Sequence, residues 1–225
     1  MTLTTAVSAS DVAIPGFSAS GQPIALPGLL SLPEPVHGLV LFAHGSGSSR
    51  FSPRNRFVAN VLHESWIGTL LFDLLTEQEA EDRVNVFDIG LLAERLRAAV
   101  RFVLEREQTA ALPLGLFGAS TGAAAALVAS AEEPRVGAVV SRGGRPDMAG
   151  AALSRVHAPT LLIVGSHDEE VLTLNRAAAA HLTCEKQLAV VRGATHLFEE
   201  PGTLEEAARL AAEWFARHLH ARSPS

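Results

Sequence analysis

The 225-residue sequence contains a single cysteine, Cys184. That excludes an internal disulfide and leaves no cysteine cluster to hold a metal. Basic runs are missing too: 18 Lys plus Arg against 24 Asp plus Glu give a formal charge of −6, the wrong sign for a nucleic-acid footprint. The longest stretch free of charge and strong polarity, around residues 122–129, is alanine-rich and far short of the ~20 residues that cross a bilayer. The opening MTLTTAVSASDVAIPG has neither a positive start nor an apolar core, so no secretory leader is expected. No repeat and no low-complexity linker divides the chain. With 48% hydrophobic and 19% charged residues, the expectation is one soluble, cytoplasmic domain, with only residues 222–225 reading as a loose tail.

What the sequence does contain is alternation. GLVLFAH (38–44) is followed by a helix opening at Ser52-Pro53, a serine cap with proline in the first turn. TLLFDL (69–74) leads through an acidic loop into a long helix carrying Ile89, Leu92, Leu96, Val100 and Val103 at steps of three and four. LPLGLFG (112–118), VGAVVS (136–141), PTLLIVG (159–165) and KQLAVVRG (186–193) are short and almost wholly apolar, as parallel strands covered on both faces are. The final helix is expected to start at Thr203, with Glu206 completing a capping box. Residues 11–32, with a turn at Ser20-Gly21, read as an antiparallel edge pair. The fold class is therefore α/β: a mostly parallel central sheet, helices on both faces and antiparallel strands at the N-terminal edge.

Ligands of such sheets bind beyond the carboxyl ends of the strands, which directs attention to the residues just after each strand. After Phe117 stands Gly118-Ala119-Ser120-Thr121-Gly122, a G-x-S-x-G between an apolar strand and a helix. A serine on so sharp a turn needs small neighbours, and Ala123–Ala126 keep the following helix slim. A phosphate-binding turn would need G-x-G-x-x-G or G-K-[ST], and neither is present here. A serine nucleophile requires a base. Among nine histidines, His196 lies in a loop shortly after a strand, whereas His37 precedes one and His63, His181, His218 and His220 fall on helices. Asp168, a few residues past PTLLIVG, is the carboxylate expected to orient it, with Asp147 as rival. The Gly-rich His44–Ser49 turn can present the Ser46 amide to an oxyanion, with the Thr121 amide as second donor. His44 itself reads as a buried histidine bonding loop backbone.

The order Ser120…Asp168…His196, together with HGSGSS (44–49) and GASTG (118–122), resembles the α/β-hydrolase superfamily over about residues 37–220, and within it the small, lidless dienelactone hydrolase-like group. One departure is local: dienelactone hydrolases proper use a cysteine nucleophile, where this chain has Ser120. The resemblance implies a serine carboxylesterase acting on small esters, with Ser120 as nucleophile, His196 as base and Asp168 as orienter. It calls for neither metal nor organic cofactor. Only residues 142–159 separate the strands between which many hydrolases insert a cap, so an open site is expected. Thioesterase, lactonase, acyltransferase or perhydrolase chemistry fits the same triad, and a non-catalytic binding module fits the same fold. Three arginines near strand ends, Arg50, Arg142 and Arg145, are candidates to hold a substrate carboxylate, or are solvated loop charges. The apolar strip on the last helix is compatible with a homodimer and equally with core packing.

Overall fold

The computed structural model describes residues 6–18 and 20–219. The expected tail at 222–225 and His220 lie outside the described residues. Strands β1 (Val7–Phe17) and β2 (Pro23–Pro33) form the antiparallel edge pair, turning at Gly21 with φ 81°. Then come β3 (Gly38–Ala43), α1 (Pro53–Glu64), β4 (Ile67–Phe72), α2 (Glu77–Ala80), α3 (Arg83–Phe87) and α4 (Ile89–Leu104). The second half supplies β5 (Leu114–Ala119), α5 (Thr121–Glu132), β6 (Val136–Arg142) and a 3₁₀ segment over Pro146–Arg155. It closes with β7 (Thr160–Gly165), α6 (Glu169–His181), β8 (Lys186–Val191) and α7 (Thr203–His218).

The eight strands form one sheet in the order β1-β2-β4-β3-β5-β6-β7-β8. Pairing is parallel from β4 through β8 and antiparallel where β2 meets β1 and β4. Every residue of β3, β4, β5 and β7 is buried, because α4, α5, the 3₁₀ segment and α6 cover one face and α1 and α7 the other. That two-sided cover is why these strands are apolar without alternation. The alanines Ala123–Ala126 are all fully buried, so α5 fits between β5 and the neighbouring α4 and 3₁₀ segment.

Local signals act as expected at α1, where the Ser52 hydroxyl accepts from the Asn55 amide with Pro53 at the first helical position. The capping box expected at Thr203 does not form. Gly202, in the left-handed conformation with φ 82°, is the cap, and Thr203 is already the first helical residue. Its hydroxyl donates instead to the Glu200 carbonyl at 2.7 Å, and Glu206 pairs with Arg209. The apolar strip of α7, including Ala211, Trp214 and Phe215, is buried inside the subunit against α1, β6 and β7. The 142–159 connection contains the 3₁₀ segment packed on α5 and α6, and no cap domain. Among the described residues, no helix is long and apolar enough to cross a membrane.

Candidate active site

Ser120 stands between β5 and α5 with φ 52° and ψ −123°, a left-handed conformation that a side-chain-bearing residue adopts only where surrounding structure enforces it. The enforcement is visible on both sides. A Cβ on Gly118 would lie 2.4 Å from the Cα of Ala123, and one on Gly122 would lie 2.2 Å from the Ala43 carbonyl oxygen. Strand, helix and the end of β3 therefore converge more closely than any side chain permits, and the serine is thrust out at the turn. The tip of β6 locks the arrangement: the Ser120 amide donates to the Arg142 carbonyl at 3.4 Å, and the Arg145 amide donates to the Ser120 carbonyl at 3.1 Å.

Asp168 sits at the cap position of α6 but makes no side-chain cap bond. Its carboxylate turns to His196 instead, with Oδ2 at 2.7 Å from Nδ1. Glu169 and Glu170 occupy the first turn of α6, where negative charge suits the helix dipole. Two contacts tie the Asp168 and His196 loops together: the His167 amide donates to the Ala194 carbonyl at 2.9 Å, and the Gly193 amide to the Ser166 hydroxyl at 2.8 Å. The His196 loop is closed by Thr195, whose amide and hydroxyl both donate to the Glu200 carboxylate, holding that carboxyl below the usual range. Buried Phe198, in the left-handed region at φ 56°, anchors the loop from beneath. The β6 end touches it directly, since a Cβ on Gly143 would lie 3.1 Å from the His196 carbonyl oxygen. Rival Asp147 is engaged elsewhere, accepting two bonds from Arg145 at 2.9 and 2.7 Å.

The turn after β3 is pinned by His44. Its Nδ1–H donates to the Gly45 carbonyl at 3.0 Å, and Nε2 accepts from the Leu74 amide at 3.1 Å. This uses the neutral ring with one tautomer. Burial lowers its pKa, outweighing the Gly45 carbonyl and nearby Asp73, which act in the opposite direction. The Ser46 amide does not stand free as the sequence implied: it donates to the Thr121 hydroxyl at 3.0 Å, so the turn is laced to the start of α5.

The three arginines separate. Arg50 is clasped by Asp73, through both its backbone amide (2.7 Å) and its guanidinium, and Arg145 is clasped by Asp147. Each therefore spends part of its hydrogen-bonding capacity and its charge on an internal carboxylate. Arg142 is 7% exposed, with its guanidinium 3.5 Å from the Asn55 side-chain oxygen and 5.7 Å from the Phe198 ring centroid. Burial and neighbouring Arg54 lower its pKa to about 10. It is enclosed between Asn55 of α1 and Phe198 of the His196 loop. What Arg142 and Arg145 do contribute is backbone, as described for Ser120.

Sequence reasoning missed a wall beside the nucleophile. The stretch read as an acidic loop folds into α2 and α3. Thr76 and Glu79 form a reciprocal capping box, a T-x-x-E signal legible in the sequence. Glu79 also receives buried Arg95 of α4 at 2.7 Å, an ion pair whose carboxylate end is half-buried, which ties α2 to the body of the domain. Between this wall and the His44–Phe51 turn lies a cavity of about 650 Å3 that reaches Thr121. Among the described residues, no group of three His, Cys, Asp or Glu side chains is arranged to hold a metal ion.

Comparison with known proteins fits this geometry. The chain is 58% identical over 205 residues to a Mycobacterium tuberculosis protein named as a phosphoribosyl transferase, covering 90% of this chain and 46% of that protein. It thus spans about half the length of the curated relatives it matches. The crystal structure of a dienelactone hydrolase from Anabaena variabilis superimposes with a TM-score of 0.89 and 50% identity, covering 95% of this chain and 99% of the other. The esterase domain of a Rhodothermus marinus protein shares the fold alone, with a TM-score of 0.72 at 20% identity, over 94% and 99% of the two chains. Residues 72–220 match the dienelactone hydrolase family. With the eight-stranded sheet and its site at the strand ends, the chain belongs to the dienelactone hydrolase family and has the α/β-hydrolase fold.

Proposed function

We propose that the chain hydrolyses carboxylic esters through an acyl-enzyme on Ser120. The observation that carries this reading is that the strained Ser120 turn and a His196–Asp168 pair at 2.7 Å are both set against the same end of β6. In this mechanism His196 Nε2 takes the Ser120 hydroxyl proton as Oγ attacks the ester carbonyl carbon. The tetrahedral intermediate collapses, and the departing alkoxide receives that proton. Water then attacks the acyl-enzyme, His196 again taking and returning a proton, and the carboxylic acid leaves. Asp168 accepts the Nδ1–H throughout and stabilises the imidazolium.

The Thr121 amide, at the first residue of α5, is one oxyanion donor. The Ser46 amide is the other, and it must first exchange partners. An oxyanion is a stronger acceptor than the Thr121 hydroxyl that holds this amide in the resting site, so the exchange is favoured as charge develops. The His196 side chain is 38% exposed, within reach of solvent water for the second step. The name phosphoribosyl transferase belongs to a protein more than twice the matched length; the geometry of this region supports acyl chemistry instead.

The test is intact-mass labelling with a fluorophosphonate, run beside Ser120→Ala. Stoichiometric labelling of the wild type and none of the variant is expected. A folded wild type that does not label overturns the reading and favours a non-catalytic module.

A further inference from the structure

The cavity beside the nucleophile has a direction. It begins at Gly45, Ser46 and Thr121, the groups that face the reacting carbonyl, and runs toward α2 and α3. Of the triad, none of Ser120, His196 and Asp168 lines it; it meets the nucleophile through Thr121, next in sequence, and Gly45, where a Cβ would lie 3.0 Å from that of Ser120. In the mechanism above His196 protonates the leaving alkoxide, so the alcohol half of the ester lies on the His196 side. The other substituent of the carbonyl carbon, the acyl chain, then points into the cavity.

Its walls specify the chain. Leu74, Leu75, Val86, Phe87 and Leu92 supply apolar surface, and Phe51 lies at the mouth. Phe51 and Phe87 are 60% and 43% exposed, large apolar side chains that water alone does not favour. The charges do not point to an acid group on the substrate: Arg50 is neutralised by Asp73, and Glu77 and Arg83 on the wall have opposite signs. A volume near 650 Å3 is of the size that houses a drug-like ligand, about 300–1,000 Å3. An acetyl group would leave most of it unfilled.

We infer that this cavity is an acyl pocket and that the preferred substrates are esters of uncharged, apolar acids of medium length or with an aromatic ring, rather than acetate-sized esters. The inference rests on the acyl-enzyme reading and narrows it. Specificity sits in α2–α3, on the acid side of the ester, while the alcohol side faces the open His196 loop.

The experiment uses two ester series with the full chain: p-nitrophenyl esters from acetate to decanoate, and acetate esters of alcohols of increasing length. A buried methylene contributes up to about fourfold, so kcat/KM is expected to rise at least tenfold from acetate to octanoate, and to change little with alcohol length. Ala80→Trp narrows the cavity from α2, where Ala80 is exposed, and Val86→Trp narrows it from α3. Each should lower the octanoate-to-acetate ratio, a readout independent of how much protein folds. A ratio unchanged in both variants, or a length preference on the alcohol side, overturns the acyl pocket while leaving ester hydrolysis standing. No turnover of any ester, together with an unlabelled Ser120, overturns both.

Discussion

Replacing Gly122 by alanine adds one methyl group, and the structure places it where no atom fits. The new Cβ would lie 2.2 Å from the Ala43 carbonyl oxygen, 2.5 Å from that of His44 and 2.7 Å from the Ala43 carbonyl carbon. All three are backbone atoms, so no side chain can rotate away. Relief requires β3 and α5 to part by about 1 Å, an overpacking strain of about 1–3 kcal/mol. The same displacement moves the His44–Ser46 turn relative to Ser120, and a 1 Å error at a reacting centre costs roughly 100-fold in rate. Gly90→Ala is the control. Gly90 lies in the first turn of α4, and its nearest contact would be 3.2 Å from the Asp88 oxygen that accepts from the Leu91 amide, so only a few tenths of an ångström must be given. There the change should be neutral or stabilising by up to about 1 kcal/mol, the helix preference of alanine over glycine. Urea unfolding reports stability, and the rate of fluorophosphonate labelling reports the elbow. Gly122→Ala should lose on both measures and Gly90→Ala on neither. A Gly122→Ala variant with wild-type midpoint and labelling rate would refute the claim that close backbone approach builds the nucleophile turn.

Two further outcomes follow from the site. Asp168→Asn keeps the shape but offers His196 Nδ1 an amide that can hold the wrong tautomer; kcat on a p-nitrophenyl ester should fall about 10³–10⁴-fold, and a loss under tenfold would show that another group orients His196. His44 tests the opposite role of a histidine. Its pKa is lowered from the ordinary 6.5 in the folded state, so the unfolded chain binds the proton more readily. The stability held by neutral His44 is present above pH 6.5 and is lost as pH falls toward its folded-state value. His44→Gln cannot titrate, so the stability advantage of the wild type over it should shrink between about pH 7.5 and 5. An advantage constant across that range in denaturant titrations would refute the neutral, doubly bonded ring.

The sequence by itself determined a great deal of this protein, for local reasons. Alternating apolar runs specify parallel strands under helices, because a strand buried on both faces has no polar side. G-x-S-x-G after such a strand marks the elbow, because the two close approaches it needs allow only glycine. Position after a strand end sufficed to bring Asp168 and His196 to one place, since parallel strands deliver their following loops to a common edge. Tertiary structure decided what depends on partners distant in sequence. Arg50 and Arg145 looked alike as candidates, and the spatial neighbours Asp73 and Asp147 claimed both. Arg142 was withdrawn from solvent by Asn55 and Phe198, neither near it in the chain. The Ser46 amide found the Thr121 hydroxyl across 75 positions. Thr203 lost its expected cap to Gly202 because the direction from which the chain enters α7 fixes the first helical residue. The wall over residues 76–87 carried its own capping signal, but its role as one side of a cavity came from Arg95, which holds Glu79 against the domain. Periodicity and turn chemistry are written along the chain, whereas the pairing of charges and the volume between elements exist only once the chain is folded.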